Sequence, residues 1–286
     1  MSDKKVSLIG VDMGGTKVRT ARVVNGKVTH SNKEDIYAFG TENEIIDQLI
    51  KAIYDVWDES ALGIGLGIPS VMDIDKGIVY DVQNIPSWKE VHLKSILEKE
   101  FNVPIYLNND ANCFAAGEKY FGVGKDVKDM VGLIIGTGMA GGLIINNRLF
   151  NGPNCGAGEF GMMPYKKFHY EYYCSGQYFI RKYKIKGEDL YDMASMGNKK
   201  ALRAFEKLGM HIGNAIKAIL YSVDPELIVF GGSVSKGYAF FKGGMAESLK
   251  DFVYPQSLQK LKIEVSTDPD IPVLGAAALY MENIAK

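Results

Sequence analysis

One carboxylate stands inside a cluster of amides at Asn108-Asn109-Asp110-Ala111-Asn112, directly after the apolar run Val103-Pro104-Ile105-Tyr106-Leu107 and directly before a helical pattern. A strand that delivers Asp110 to its C-terminal tip with Asn109 beside it is one way to hold a polyol next to a base. Amide side chains both donate and accept hydrogen bonds, as sugar hydroxyls do. The same residue types crowd turns and helix N-caps, so Asp110 also reads as the cap of a helix over 111–120.

Two glycine-rich loops bear on that choice. Asp12-Met13-Gly14-Gly15-Thr16-Lys17 lies between two strand-like runs. Paired glycines let a backbone turn with its N–H groups outward, and such a nest takes phosphate oxygens. Thr16 adds a hydroxyl donor and Lys17 a cation. Asp12 at the strand tip suits a magnesium ion held through water, because that metal takes one or two carboxylates together with phosphate. A plain hairpin turn is the competing description. Ile135-Gly136-Thr137-Gly138-x-x-Gly141-Gly142 is a second such loop. It leads back into a strand instead of opening a helix, which rejects a dinucleotide fingerprint, and no G-x-x-x-x-G-K-[ST] sequence is present. Two strand–Gly–Thr–strand loops suit a nucleotide held between similar lobes. Gly231-Gly232, at another strand end, lets an adenosine lie flat on the backbone, or simply makes a tight strand-to-helix turn.

The elements that must position these residues follow from periodicity. Val6 to Val11 reads as a buried strand and Val18 to Val24 as a second. Asn25-Gly26 is a two-residue hairpin signal leading to a third strand from about Lys27. Thr41-x-x-Glu44 is a capping box, after which Ile45, Ile46, Leu49, Ile50, Ile53 and Trp57 share one helix face. Strands follow at Leu62 to Ile68 and Val103 to Leu107. The pattern then restarts: a strand at Met130 to Ile135, the Gly136 turn, a returning strand at Gly141 to Ile145 and a hairpin turn at Asn146-Asn147. Strand, Gly/Thr turn, strand and hairpin turn therefore occur twice, at 6–26 and 130–147. A long helix is expected from about Lys199 to Val223, stopped by Asp224-Pro225. A strand over Leu227 to Phe230 ends on Gly231-Gly232, and Pro272 opens a terminal helix. No low-complexity linker intervenes, so a domain boundary is expected as a hinge crossed near Asp110 and again near Pro272.

The bulk numbers exclude several classes. With 286 residues, 47% hydrophobic and 23% charged, the chain is ordinary globular material of a length for one large or two normal domains. Thirty-three basic against 34 acidic residues leave a net charge of −1 and no electrostatic footprint for nucleic acid. No apolar run reaches the roughly 18 residues of a membrane helix. Met1-Ser2-Asp3-Lys4-Lys5-Val6 leads to a short strand-like run containing Asp12, not to a signal-peptide core. Cys113, Cys155 and Cys174, odd in number and widely spaced, read as reduced thiols of a cytoplasmic protein.

Taken in order, the motifs resemble the ROK family of sugar kinases and sugar-responsive repressors, over nearly the whole chain from Ile9-Gly10-Val11-Asp12 to Gly275-Ala276-Ala277. Gly67-Ile68-Pro69 is similar to the family's glycine-proline segment beside the sugar, and Asn84-Ile85-Pro86 with Trp88 to its next sugar-side loop. Asn109-Asp110 matches the amide and catalytic aspartate. Gly158-Glu159-Phe160-Gly161 and Glu171-Tyr172-Tyr173-Cys174-Ser175-Gly176 resemble segments whose glutamates reach the sugar. Asp224-Pro225-Glu226 with Gly231-Gly232 matches the adenosine side. The resemblance implies an α/β protein of the actin-like (ribonuclease H-like) ATPase fold, with two lobes of mixed sheets and a cleft. The smaller lobe is expected at 1–111 plus 272–286, carrying the first phosphate loop. The larger, 112–271, is expected to hold the second loop, the adenosine site and a dimer face.

Two departures stand out. Met162 occupies the position of the family's usual His, and the Cys-x-Cys-Gly-x-x-Gly-Cys zinc loop that should follow is missing before Glu171. His169, Cys155 and Cys174 lack ligand spacing, so no zinc site is expected. Ser70 stands where Gly is usual after Pro69 and is expected to narrow the sugar pocket. The aromatic run Phe168, Tyr170, Tyr172, Tyr173 and Tyr178 is expected to pack a loop or a dimer face, with stacking on a sugar or aglycone as the other use.

The implied activity is ATP- and magnesium-dependent phosphorylation of a primary sugar hydroxyl, the 6-OH of a hexose or hexose derivative, in the cytoplasm and as a homodimer. Asp110 would take the proton; Pro69, Asn84, Asn109, Glu159 and Glu171 would hold the sugar. Asp12, Gly14, Gly15, Thr16, Lys17, Gly136, Thr137, Gly138, Gly231 and Gly232 would hold ATP and its metal. The alternative is a sugar-responsive transcriptional regulator or a non-catalytic sensor of the same family. A regulator would carry a helix-turn-helix region ahead of the first phosphate strand, which here begins at Val6. Glucose, fructose, mannose, an N-acetylhexosamine and a β-glucoside all remain open as substrate.

Overall fold

The computed structural model describes residues 6–82 and 84–284. Met1 to Lys5, on which the expectation of no signal peptide partly rests, lie outside the described residues, as do Gln83 and the last two residues of the 272–286 segment.

The chain opens with a meander, β1 (Ser7–Met13), β2 (Lys17–Val24) and β3 (Lys27–Asp35), paired antiparallel. The β2–β3 turn places Asn25 at φ 49° and Gly26 at φ 76°. Two successive left-handed residues make the turn that matches strand twist, which is why Asn-Gly is chosen there. α1 (Glu42–Tyr54) begins at the expected capping box: the Glu44 N–H donates to Thr41 Oγ1 (3.3 Å) and the Thr41 N–H to Glu44 Oε2 (2.8 Å). β4 (Ala61–Ile68) then pairs parallel with β1. A small antiparallel sheet unforeseen from sequence, β5 (Val71–Asp73), β6 (Ile78–Tyr80) and β7 (Glu90–Val91), precedes α2 (Leu93–Phe101), β8 (Ile105–Asn109) and α3 (Asp110–Tyr120). The first sheet runs β3-β2-β1-β4-β8. Its inner strands β1 and β4 are almost wholly buried, as parallel strands covered on both faces must be. β3 is polar and forms the exposed edge, Lys27 to Asp35 carrying enough charge to discourage further pairing.

The second half repeats this layout. β9 (Met130–Ile135), β10 (Met139–Ile145) and β11 (Arg148–Phe150) come first, the last turn holding Asn146 and Asn147 at φ 53° and 64°. A short hairpin, β12 (Pro164–Tyr165) and β13 (Phe168–His169), leads to α4 (Tyr170–Cys174), α5 (Gln177–Tyr183) and α6 (Gly187–Ser195). α7 (Lys199–Val223) has the limits expected, with Asn198 accepting from the Lys200 and Ala201 N–H groups and Asp224 left-handed at φ 40° before Pro225. β14 (Leu227–Gly231), α8 (Tyr238–Leu249), α9 (Pro255–Lys260), β15 (Lys262–Val265) and α10 (Ile271–Ile284) complete the chain. The second sheet is β11-β10-β9-β14-β15, the strand order of the first.

The residues form two compact units: 1–126 with 142–157 and 267–286, and 127–141 with 158–266. α3 thus packs with the first unit, where the sequence placed a crossing at 111/112. The reason is α10, whose glycine-alanine face lies against α3, β1 and β4 with no room for a Cβ at Gly275, Gly10 or Gly65.

Candidate functional site

In the first unit, register brings the chemistry-bearing residues to one edge. Asp12 on β1 is level with Gly67 on β4, and Gly67 with Asn108 on β8. Asp12, Ile68-Pro69 and Asn109-Asp110 therefore leave the C-terminal ends of three neighbouring parallel strands, the end at which open α/β sheets hold ligands.

The stretch that carries Asp110 is held by Asn108. Its Oδ1 accepts from the Asn109 N–H (2.9 Å), from Asn112 Nδ2 (2.8 Å) and from the Cys155 thiol (3.4 Å), while its Nδ2 donates to Asn151 Oδ1 (2.9 Å). Asn108 is 3% exposed, a positioning residue that the sequence marks only as one amide among several. β8 extends through Asn109, and the helix cap falls to Asn109, whose Oδ1 accepts from the Ala111 N–H at 2.9 Å. Asp110 is the first helical residue, one position past the cap, and its own Oδ1 also accepts from the Ala111 N–H at 2.9 Å. Asn109 Nδ2 lies 3.4 Å from the Ser70 carbonyl.

Asp110 is partly buried and burial holds its carboxyl above the usual carboxylate range, against the pull of the Ala111 N–H and its own. Asp12 is pushed up to about 6, chiefly by burial and then by the negative charge of Asp110, with Arg19 and Lys33 pulling it back. The same two carboxylates and complete burial keep the Cys113 thiol neutral beneath them. Asp12, its ionisation opposed by burial and by the charge of Asp110, offers an oxygen donor of the kind a hard divalent cation takes, although no group of three or more His, Cys, Asp or Glu gathers among the described residues.

This has a consequence for stability. Unfolded, Asp12 titrates near its ordinary 3.8; folded, near 6. The native state therefore binds the proton more tightly, and stability falls as pH rises from about 4 to 6, by on the order of 1–3 kcal/mol. Asp12→Asn removes this cost. The variant is expected to unfold at higher denaturant than the parent at pH 8, with the gap closing by about pH 4. A gap independent of pH would refute the assignment.

The first glycine of each loop departs from the outward nest expected. The Gly14 N–H donates to the Lys17 carbonyl (2.8 Å) and the Gly136 N–H to the Gly138 carbonyl (3.0 Å), so both close their own turns. Lys17 is exposed and lies 3.4 Å from the exposed Asp35, a pair worth little in water. The Ser70 hydroxyl lies 2.6 Å from the Val71 carbonyl and 2.8 Å from the Tyr80 carbonyl, pinning the small sheet. Asn84 is left-handed at φ 67° with an exposed side chain, and Trp88 is fully buried in the core.

In the second unit, one acid and the loop of another come onto the start of β10. Glu171 Oε2 accepts from the Met139 N–H at 2.9 Å. Glu159 is exposed at the head of a one-turn 3₁₀ helix (Phe160–Met162). Its loop is clamped there by the Gly141 N–H on the Gly158 carbonyl (2.9 Å) and by Gly158 at φ +94°, where a Cβ would strike Gly141. The shortened segment after Met162 is the β12–β13 hairpin, with His169 Nδ1 3.2 Å from the Gly161 carbonyl. Gly231 ends β14 beside Ile134 of β9, and Gly232 turns away at φ +82°, where a Cβ would strike the Ile135 carbonyl. Glu226 sits at the opposite end of β14, accepting from the Lys128 and Asp129 N–H groups, and so ties strands together away from those glycines.

A cavity of about 480 Å³ opens beside the Gly136-Thr137 loop and the turn after Gly232. Its far wall is α5 and α6, with Gln177, Phe179, Ile180 and Tyr191. Sequence reasoning missed this wall; short amphipathic helices carry no motif that singles them out.

A doubled strand–turn–strand layout with a glycine loop in each half defines the actin-like ATPase fold. The family model described as ROK matches residues 8–283, and the chain belongs to the ROK family. It is 28% identical to a glucokinase of Thermotoga maritima over 98% of this chain and 99% of that one. It is 27% identical to a xylose repressor of Bacillus spizizenii over 78% of this chain and 62% of the repressor. Among solved structures, a ROK family glucokinase of Streptomyces griseus in complex with glucose and AMPPNP superposes with TM-score 0.79 at 25% identity, covering 96% of this chain and 98% of that one. No helix among the described residues is long and apolar enough to cross a membrane.

Proposed function

We propose that this chain is an ATP-dependent sugar kinase that phosphorylates a primary hydroxyl, the 6-OH of a hexose or hexose derivative. The observation that carries the reading is the start of α3. Asn109 caps the helix, which leaves Asp110 as a partly buried carboxylate of raised pKa at the strand-end edge, beside Asp12. A base of raised pKa is suited to proton transfer near neutral pH.

Asp110 Oδ2 accepts the hydroxyl proton while the sugar oxygen attacks the γ-phosphorus; the bond to the bridging oxygen breaks and ADP leaves. Phosphoryl transfer asks a protein mainly for positioning and charge stabilisation. Asn109 Nδ2, Pro69, Asn84, Glu159 and Glu171 place the ring. Glu171 also braces the second loop through Met139, so its loss would affect both substrates. N–H groups of Gly15, Thr16, Thr137 and Gly138, with the Thr hydroxyls, face developing phosphoryl charge, and Lys17 adds a cation. Gly14 and Gly136 keep those loops closed. Gly231, Gly232 and the 480 Å³ cavity take the adenosine. Asp12 would hold magnesium through water, which when bound neutralises phosphate charge. A homodimer in the cytoplasm belongs to the same proposal, supported by the family resemblance.

The test is ADP release with ATP-Mg²⁺ across glucose, fructose, mannose, N-acetylhexosamines and β-glucosides. Release that depends on one of these sugars is expected. Sugar binding without turnover would move the chain to the sensor class, the reading that the xylose repressor's likeness favours.

A further inference from the structure

The β12–β13 hairpin, α4, α5 and α7 line a second, open cavity of about 380 Å³. Three cations line it from two elements: Lys166 from the hairpin turn, and Arg181 and Lys182 from α5. No Asp or Glu lines it, and none forms an ion pair with these three among the described residues. The helix dipole explains basic residues in the last turn of α5. It does not explain their convergence with Lys166, which comes from another segment.

The cations are held by aromatic rings and not by acids. The Arg181 guanidinium lies 4.1 Å from the centre of the Tyr172 ring and donates through Nη2 to the Tyr172 carbonyl. Its Nε is buried with no hydrogen-bond partner, a donor left over. Lys166 sits 5.6 Å from the Tyr173 ring and Lys182 5.5 Å from Tyr178. Phe168 stacks on Tyr172 at 4.0 Å, and Tyr173 meets Tyr172 edge-on at 5.0 Å, which makes an aromatic wall. His211 at the base is kept neutral, pushed down to about 4 by burial and then by Lys166 and Lys182, and its Nδ1 is engaged with the Tyr165 hydroxyl at 3.2 Å.

We propose that this cavity is a binding site for a small phosphate monoester, its phosphate on Lys166, Arg181 and Lys182 and its body against the aromatic wall. Arginine beside lysines matches a tetrahedral oxyanion. A phosphate group brings close to two negative charges at pH 7, and 380 Å³ is within the range of small-molecule sites. α5 is shared between cavities: Tyr178, Arg181 and Lys182 line this one, while Gln177, Phe179 and Ile180 line the 480 Å³ cavity. α4 likewise carries Tyr172 and Tyr173 here and Glu171 on the Met139 N–H. An occupant would therefore bias the elements around the other cavity, which rests on the adenosine assignment above.

Calorimetry on the full chain, without ATP, tests the site independently of any turnover. The probes are inorganic phosphate and glucose 6-phosphate, with glucose as the neutral control. Both anions are expected to bind; tighter binding of the ester would name an organic phosphate as the source, and equal binding free phosphate. The Lys166→Gln/Lys182→Gln variant, altering two exposed side chains, is expected to lose at least about tenfold affinity for both with its melting temperature unchanged. Anion binding that is absent, or undiminished in this variant and therefore elsewhere, would overturn the proposal. AMPPNP affinity should also shift at saturating anion in the parent only; no shift would overturn the coupling through α5.

Discussion

Asp110→Asn is expected to lower kcat about 10³-fold, inside the 10²–10⁴ range that a positioned base contributes, while the fold and sugar affinity persist. The fold should persist because the cap is Asn109, not residue 110, and because Asn108 anchors the Asn109 N–H without Asp110. An Asn side chain fills the same space but cannot take a proton. The substitution also carries a second readout. The charge of Asp110 is one of the two causes that push Asp12 up to about 6, so removing it should move the Asp12 titration back toward 3.8, visible by carboxyl NMR. In the parent, Asp110 must be ionised to act, and burial raises its pKa. The acid limb of kcat/KM should therefore lie above the ordinary carboxylate range, with activity lost as pH falls through it. Turnover unchanged in Asp110→Asn would end the base assignment; lost turnover with lost folding would return Asp110 to a structural role.

What was legible in the sequence is what is decided locally. Asn25-Gly26 and Asn146-Asn147 announce their turns because few residues tolerate two left-handed positions in succession. Thr41 and Glu44 set one helix start through their own side chains, and Asp224-Pro225 ends another through its backbone. The doubled strand–turn–strand layout reappears as two sheets of one strand order. Long-range partners were not legible. That the Gly14 and Gly136 N–H groups face inward depends on where the Lys17 and Gly138 carbonyls arrive. That Ser70 ties down Tyr80, ten residues on, depends on a small sheet of strands only two or three residues long, below the length at which alternation gives a signal. Asn108 looked interchangeable with Asn109 and Asn112, and only tertiary contact with Asn151 and Cys155 separates their tasks.

The helix that begins with Asp110 is placed by a glycine far along the chain, and Gly275→Ala should show it. A Cβ on Gly275 would lie 1.7 Å from the Cys113 carbonyl oxygen and 2.8 Å from the Gly117 nitrogen, both backbone atoms of α3. Gly117 approaches the Ile271 carbonyl of α10 in return, so the two helices meet at two residues without side chains. A flexible side chain could rotate away, but backbone cannot, and α3 would have to move. Overpacking against fixed atoms costs at the upper end of single substitutions, here about 3–5 kcal/mol, a large share of the 5–15 kcal/mol typical of a native state. Gly243→Ala is the opposite case. Gly243 sits exposed inside α8 with nothing within 4 Å of a Cβ, and there alanine should stabilise by about 0.5–1 kcal/mol. Urea denaturation of both variants reads the contrast. Because α3 starts at the proposed base, Gly275→Ala should also lose sugar-dependent turnover under conditions where it remains folded, and Gly243→Ala should not. Equal stability of the two variants would mean that α3 and α10 are not in contact at Cys113, and the placement of Asp110 would have to be argued from β8 alone.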